Sequence, residues 1–251
     1  MSWFAVWLIL PLVTYWFSRY LITRADRLGM LDLPSNRSSH SVPTPRLGGI
    51  GFVPVFGVYA LWVLSQLQID PSLEAIPASI LMAMMALFLV GAWDDYRDVP
   101  AKIRLLFQIV FVVFSLWALS PVFAALPINL GPLFAVFLML AAVWWVNLFN
   151  FMDGADGFAG GQALFVVGAG ALAVGLVGGQ APGYEGVHAG FLDIYLALSV
   201  GLFLILVGFL VLNWSPARVF MGDAGSLALA AFVAVAGAWW VQLDEAYLGL
   251  M

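Results

Sequence analysis

The chain has 251 residues, of which 64% are hydrophobic and only 9% are charged, and its formal net charge is −5. Soluble domains carry about 25% charged residues, so the composition excludes an ordinary soluble domain and predicts an integral membrane protein. Long apolar runs, rather than alternating segments of about ten residues, favour an all-α polytopic helical bundle over a β-barrel. The sequence contains no cysteine, which excludes disulfides and thiolate metal sites.

About eight transmembrane helices can be drawn along the chain, each near the ~20 residues that a bilayer requires. In chain order they cover approximately residues 2–22, 47–68, 77–93, 102–120, 132–150, 161–179, 190–212 and 224 onwards. The first run has no basic segment ahead of it and no clear cleavage site, so we interpret it as an uncleaved helix. Residues 1–251 are expected to form a single transmembrane domain.

The basic residues predict the orientation of this topology. All nine lysines and arginines fall on one side of the membrane or at the helix ends on that side, whereas the opposite loops contain acids only. The nine are Arg19, Arg24, Arg27, Arg37, Arg46, Arg97, Lys102, Arg104 and Arg218. The positive-inside rule therefore places this side in the cytoplasm and both termini outside.

Acidic and amide side chains recur on the same predicted cytoplasmic side. They are Asp94 and Asp95 after the third span, Asn147 and Asn150 at the end of the fifth, Asp153 and Asp156 after the fifth, and Asp223 before the eighth. Such groups are costly in lipid, so they must lie at an aqueous edge or face a cavity. Each group alone has a simpler interpretation: a solvated helix end, a hydrogen bond between helices, a turn or a helix cap. Their predicted meeting on one face favours a shared site.

The chemistry of these residue types indicates phosphoryl transfer. Carboxylate and amide oxygens suit Mg²⁺ or Mn²⁺, which keep waters and bridge to substrate phosphates. Gly222 and Gly225 flank Asp223 at a predicted helix N-terminus, where backbone can approach a phosphate closely. Lys102 and the loop arginines supply positive charge. A reaction that needs acids for a metal, bases for phosphates and close backbone approach is phosphoryl transfer.

Several segments, in this order, resemble the polyprenyl-phosphate N-acetylhexosamine-1-phosphate transferases, of which phospho-N-acetylmuramoyl-pentapeptide transferase is a more distant relative. The segments are residues 40–49 (HSVPTPRLGG), Asp94 and Asp95 with Lys102 downstream, residues 147–157 (N-x-x-N-x-x-D-G-x-D-G) and residues 220–226 (FMGDAGS). The resemblance covers nearly the whole chain.

The resemblance implies a one-step exchange at the cytoplasmic face of a bacterial inner membrane. An undecaprenyl phosphate oxygen attacks the β-phosphate of a UDP-N-acetylhexosamine, UMP leaves, and a cell-surface glycan such as lipopolysaccharide or a cell-wall polymer is started. A covalent aspartyl intermediate is an alternative route. The implied roles are metal ligation by Asn150 and Asp223, catalysis at the phosphates by Asp94 and Asp95, and substrate binding by Arg46, Lys102, Asn147, Asp153, Gly154 and Asp156. The implied partners are a UDP-sugar, undecaprenyl phosphate and Mg²⁺ or Mn²⁺; a homodimer is one expected assembly, and no nucleic acid is expected.

The sequence departs from the family pattern at its C-terminal end. Family members usually continue with further helices and a cytoplasmic loop rich in histidine and arginine, whereas this sequence ends at Met251. We therefore expect the single transferase domain to lack that part, and a catalytically silent paralogue stays an alternative. A cation transporter is another, although transporter sites usually lie near the midplane. A CDP-alcohol phosphotransferase is disfavoured, because no aspartate recurs between Asp156 and Asp193.

Overall fold

The structure is a computed structural model that describes residues 3–34, 41–67, 75–118, 131–177 and 187–234. This part of the chain is mostly helical, and it includes a small two-stranded sheet. Its helices are α1 (Trp3–Ile22), α2 (Ala25–Leu28), α3 (Gly48–Gln66), α4 (Ala75–Arg97), α5 (Ala101–Ala118), α6 (Pro132–Met152), α7 (Phe158–Val177), α8 (Val187–Asn213) and α9 (Gly222–Ala234). The predicted all-α fold is confirmed.

The described helices coincide with the predicted membrane spans. Six of them (α1, α3, α5, α6 and most of α7 and α8) are long and apolar enough to cross a membrane. The predicted third span corresponds to α4, which has 23 residues. The predicted eighth span begins as α9, and the rest of that predicted span lies outside the described residues. A polytopic membrane bundle is therefore the architecture of the chain.

The side chains of α1 show how such a helix is placed between lipid and protein. Leu8, Leu12 and Trp16 recur every four residues and are exposed, whereas Leu10 and Ser18 on another face are buried. Residues four apart lie on the same face of an α-helix, so α1 presents one apolar face outward and packs the other against the bundle. Its neighbours there are α3 and α8, and α8 also packs against α7. The central helix of the bundle is therefore α8.

A hairpin fastens the segment before α9 to the start of α3. Strands β1 (Leu31–Asp32) and β2 (Thr44–Pro45) pair antiparallel. The carbonyl of Pro45 accepts a hydrogen bond from the amide of Phe220 at 2.8 Å, and the amides of Gly48 and Gly49 donate to the carbonyls of Phe220 and Met221 at 2.9 and 2.8 Å. This pairing fixes the residues that lead into α9.

The crossing of α3 and α9 depends on the absence of a side chain at Gly49. A Cβ atom there would lie 2.2 Å from the backbone nitrogen of Gly225. Small residues let membrane helices approach closely, and this contact brings the N-termini of α3 and α9 to the same end of the bundle. His40, the first residue of the segment 40–49, lies outside the described residues.

Candidate active site

The acidic groups predicted from the sequence meet at the end of the bundle where α4 ends and α9 begins. Asp223 is the second residue of α9. Its Oδ1 accepts a hydrogen bond from Nδ2 of Asn150 at 2.8 Å, and its Oδ2 accepts one from Nη1 of Arg104 at 2.5 Å. The same Arg104 nitrogen donates to Oδ2 of Asp94, also at 2.5 Å. Side chains from α4, α5, α6 and α9 thus form one connected cluster.

Asp95 holds the first turn of α9. Its two carboxylate oxygens accept hydrogen bonds from the backbone amides of Asp223 and Ala224, each at 2.9 Å. The first amides of a helix have no partner within the helix, and a carboxylate near them is favoured by the helix dipole. Asp95 therefore positions Asp223 through its backbone. Its predicted part in catalysis stays a prediction.

The end of α4 orients Asp94. The chain turns at Asp98, where φ is +47°, and the backbone amide of Val99 donates to Oδ1 of Asp94 at 2.6 Å. The Asp94 side chain is only 12% exposed. Each of its oxygens therefore accepts a hydrogen bond, one from this amide and the other from Arg104.

Arg104 is the residue of the cluster that the sequence interpretation missed. We assigned the phosphate-neutralising role to Lys102, but Lys102 is exposed and forms no ion pair within the described part of the chain. A usable signal was the spacing on α5, since Arg104 lies four residues before Gln108 and eight before Val112, both buried. Residues at this spacing share one helix face, so Arg104 was the cation on the inward face. The substrate role of Lys102 stays a prediction.

Asn147 joins two helices rather than entering the acidic cluster. Its amide nitrogen donates to Oε1 of Gln108 on α5 at 2.7 Å and to the carbonyl of Val143 at 2.8 Å. Amide side chains commonly link membrane helices in this way. These contacts give Asn147 a structural function, and its predicted part in substrate binding is a separate question.

The loop after α6 runs beside the segment 214–221 that precedes α9. Asp156 is exposed, and its Oδ2 accepts a hydrogen bond from the amide of Ala217 at 3.0 Å. Gly157 lies against the ring of Trp214. Gly154 is exposed at the end of α6. Two of the three predicted nucleotide contacts, Gly154 and Asp156, thus face solvent beside the cluster, whereas the third, Asp153, is partly buried.

The carboxyl of Asp153 interacts electrostatically with the acids of the cluster. Burial raises the pKa of its carboxyl well above the usual range, the negative charges of Asp95 and Asp223 raise it further, and a hydrogen bond with the backbone amide of Gly222 lowers it. The carboxyls of Asp94, Asp95, Asp153 and Asp223 thus lie near one another with Arg104 as the basic side chain that bridges two of them.

Asp153→Asn is expected to flatten the pH dependence of stability in the metal-free protein. A carboxyl whose pKa is raised on folding stabilises the folded state at low pH, and this contribution is lost as the pH rises through the raised pKa. The thermal midpoint of the wild type should thus be lower at about pH 8 than at about pH 5, and the variant should show a smaller difference. Thermal unfolding with a chelator present measures both.

Asp193→Asn is the matched control for this measurement. Asp193 is exposed near the start of α8, far along that helix from Asn213. This control should keep the wild-type difference between the two pH values. An equally large difference in Asp153→Asn would contradict the raised pKa of the Asp153 carboxyl.

Arg46 lies at the edge of the cluster. Its Nη2 is 2.8 Å from Oδ1 of Asp32 on β1, and its side chain is 41% exposed. It is also close enough to Asp95 for a favourable charge interaction. Arg46 is therefore placed near the predicted phosphate site, with its guanidinium engaged by Asp32.

The donor set fits a hard divalent cation. Asp94 and Asp223 offer carboxylate oxygens, which suit Mg²⁺ or Mn²⁺. Asn150 turns its amide nitrogen to Asp223 and Ser226, so its Oδ1 is the atom that would ligate a metal. The point between Asp94 and Asp223 already accommodates a positive charge, the Arg104 guanidinium. Within the described ranges no three His, Cys, Asp or Glu side chains surround a common point. Mg²⁺ often takes only one or two carboxylates and completes its shell with water and substrate phosphates, so these residues fit a metal shared with a substrate.

Comparison with known proteins shows that the model of one protein family matches most of the chain. Residues 77–240 match the model of glycosyl transferase family 4, a range that contains every predicted site residue except Arg46. A probable undecaprenyl-phosphate N-acetylglucosaminyl 1-phosphate transferase of Bacillus subtilis is 31% identical over 82% of this chain and 54% of that protein.

Other relatives carry related names. A decaprenyl-phosphate N-acetylglucosaminephosphotransferase of Mycobacterium tuberculosis is 32% identical over 92% of this chain and 58% of its own length. A phospho-N-acetylmuramoyl-pentapeptide-transferase of Picosynechococcus is 35% identical over 77% of this chain and 52% of its own length. The chain thus spans about half the length of the curated relatives it matches.

Proposed function

Since the chain belongs to glycosyl transferase family 4, we propose that it transfers a sugar 1-phosphate from a UDP-N-acetylhexosamine to undecaprenyl phosphate and releases UMP. The observation that carries this proposal is the cluster in which Arg104 joins Asp94 to Asp223 while Asp95 and Asn150 hold Asp223 in place. Relatives whose names specify polyprenyl-phosphate sugar-phosphate transfer support it.

The proposed reaction exchanges one phosphoryl bond for another. An oxygen of the lipid phosphate attacks the β-phosphorus of the nucleotide sugar, the bond from that phosphorus to the bridging oxygen breaks, and UMP leaves with the electron pair. Charge crowds at this point, because two phosphates of the donor meet one of the acceptor. Catalysis of such transfers consists mainly of positioning and charge neutralisation.

The residues of the chain supply these two functions. Arg104 and Lys102 lie at the start of α5, where they can contact phosphate oxygens, and guanidinium groups pair well with phosphate. A Mg²⁺ or Mn²⁺ held by Asp223 and Asn150 would neutralise charge on the donor diphosphate. Asp95 fixes the position of Asp223 by accepting a hydrogen bond from its backbone amide. The proposed nucleoside contacts are on the loop after α6, and they are Asp153, Gly154 and Asp156.

We also propose that this end of the bundle faces the cytoplasm in a bacterial inner membrane. The lysines and arginines of the chain gather on the same side in the predicted topology, and a charged UDP-sugar is a soluble substrate. The described acids lie at helix ends rather than at mid-span, so no specific observation favours a transporter.

The test is a product analysis of the purified chain in nanodiscs. Given radiolabelled UDP-N-acetylglucosamine, undecaprenyl phosphate and Mg²⁺, the protein should release UMP and form labelled lipid in equal amounts. A chelator should stop both, and added Mg²⁺ should restore them. UDP-N-acetylgalactosamine and UDP-N-acetylmuramoyl-pentapeptide, run in parallel, define the donor.

Two results would contradict the proposal. Absence of lipid product with every donor would exclude sugar-phosphate transfer by this chain. Release of UDP in place of UMP would show that the sugar alone is transferred. Asp193→Asn, which changes an acid outside the cluster, should keep the wild-type rate.

A further inference from the structure

The position of a single nitrogen atom suggests how the cluster changes during the reaction. Nη1 of Arg104 lies 2.5 Å from Oδ2 of Asp94 and 2.5 Å from Oδ2 of Asp223. Two carboxylate oxygens that converge on one point, with one acid on α4 and the other on α9, form the geometry that a bound cation requires. The guanidinium thus stands where a divalent metal would approach the same oxygens.

We propose that Arg104 and the divalent metal occupy the pair of Asp94 and Asp223 alternately. In the metal-free protein Arg104 neutralises the pair. When the metal binds Asp223, Arg104 leaves the pair and contacts the donor diphosphate. This inference rests on the proposed function, because it takes the metal and the UDP-sugar from it.

Charge and space both favour this exchange. Like charges in contact repel strongly when they are shielded from water, and the side chains of Asp94 and Asp223 are only 12% and 23% exposed. A guanidinium and a divalent cation therefore compete for these oxygens. Arg104 is 31% exposed and lies in the first turn of α5, so it has room to turn toward a ligand arriving from solvent. Its planar guanidinium pairs with phosphate as readily as with carboxylate.

The other cations near the cluster do not share this position. Arg46 pairs with Asp32 at 2.8 Å, and Lys102 is exposed. Arg97 is also exposed and stacks on the ring of Tyr96. Within the described ranges, Arg104 is the basic side chain that bridges the two acids. It is therefore the residue through which metal binding and nucleotide binding can be linked.

The exchange predicts a specific pattern of binding constants. Without UDP, Arg104→Gln should bind Mn²⁺ about 10-fold more tightly than wild type, because the competing cation is gone. Without metal, its affinity for UDP should stay within about twofold of wild type, because Arg104 is then held by the acids. With Mn²⁺ bound, its UDP affinity should fall about 10-fold. Coupling between two ligands in proteins is commonly about 5- to 150-fold, so these shifts are measurable.

The experiment measures Mn²⁺ binding by electron paramagnetic resonance and UDP binding by calorimetry, each with and without the other ligand. Arg97→Gln removes the same charge outside the cluster and should change no constant by more than about twofold. Arg104→Lys keeps the positive charge on a shorter side chain, and it replaces Arg104→Gln in the experiment if that variant does not fold. It should lower the UDP affinity only when Mn²⁺ is bound.

Three outcomes would overturn the exchange. An equal loss of UDP affinity with and without metal would make Arg104 a fixed phosphate contact. An unchanged or weaker Mn²⁺ affinity in Arg104→Gln would show that the two cations do not compete. A wild type that binds neither Mn²⁺ nor UDP would overturn the proposed function as well, which separates that failure from the first two.

Discussion

Asp223→Asn is expected to lower kcat/KM of the proposed transfer at least about 10³-fold, because metal and phosphate positioning supplies several kcal/mol and each tenfold in rate corresponds to about 1.36 kcal/mol. The carboxylate accepts hydrogen bonds from both Asn150 and Arg104. An amide of the same shape has one acceptor and one donor, so one of these partners meets a donor instead. The variant also loses the charge that binds the metal. Initial rates of UMP release give the ratio.

The stability of Asp223→Asn separates loss of chemistry from loss of fold. Leaving a partly buried donor without an acceptor costs about 1–3 kcal/mol, so the thermal midpoint should fall but the variant should remain folded. The matched control, Asp193→Asn, removes a carboxylate that lies on α8 and should change neither rate nor midpoint. A folded Asp223→Asn with more than a tenth of the wild-type kcat/KM would rule Asp223 out as a metal ligand.

The membrane spans could be predicted because they are local properties of the sequence. A run of apolar residues long enough for a bilayer is visible without knowledge of the partners, and the first predicted span, 2–22, agrees with α1 (Trp3–Ile22). The sixth predicted span was placed from 161, whereas α7 begins at Phe158. Gly160 and Gly161 at this predicted boundary both lie inside the helix.

The hairpin of β1 and β2 could not be predicted from its residues. Each strand has two residues, and Pro45 is held in place by Phe220, far along the chain. No periodicity encodes such a contact. The sequence interpretation placed no strands between the first and second spans. It therefore missed the backbone hydrogen bonds that anchor the start of α9.

In the site, too, the residue types could be predicted from the sequence, whereas the partners of each residue could not. Asp94, Asp95, Asn150 and Asp223 were predicted to share one face, and hydrogen bonds join them there. Their individual contacts could not be predicted, since Asp95 and Asp223 are 128 residues apart. Asp95 was assigned to the phosphates, yet both of its oxygens bind backbone amides of α9. The different contacts of Asp94 and Asp95 thus depend on the tertiary structure.

The backbone at Gly222 is where this arrangement is most sensitive to a small change. Its φ is +71°, and an added Cβ would lie 2.6 Å from Oδ2 of Asp95. An L-residue in the left-handed region costs about 1–2 kcal/mol. The contact with Asp95 adds to this, because the carboxylate must move away from the amides of Asp223 and Ala224.

Gly222→Ala is therefore expected to lower the free energy of unfolding by about 3–5 kcal/mol, which is the backbone cost plus the loss of one of the two hydrogen bonds to Asp95, since a hydrogen bond to a charged group contributes about 1.5–3 kcal/mol. It should also reduce kcat/KM about 10- to 100-fold, the usual effect of disturbing groups that orient metal ligands. Gly29→Ala is the matched control. Gly29 has φ of +67° and no atom within 4 Å of an added Cβ, so it carries the backbone strain without the contact.

The difference between these two variants isolates the contact with Asp95. Gly29→Ala should cost about 1–2 kcal/mol and leave the rate of UMP release unchanged. A second comparison uses Asp95→Ala as background, where the added methyl group meets no carboxylate and Gly222→Ala should cost no more than Gly29→Ala. Double-mutant cycles of this kind measure the coupling between neighbouring residues directly. If Gly222→Ala and Gly29→Ala prove equally mild in the wild-type background, Asp95 does not hold α9 in the way that the structure indicates, and the position of Asp223 must be fixed by Asn150 and Arg104 alone.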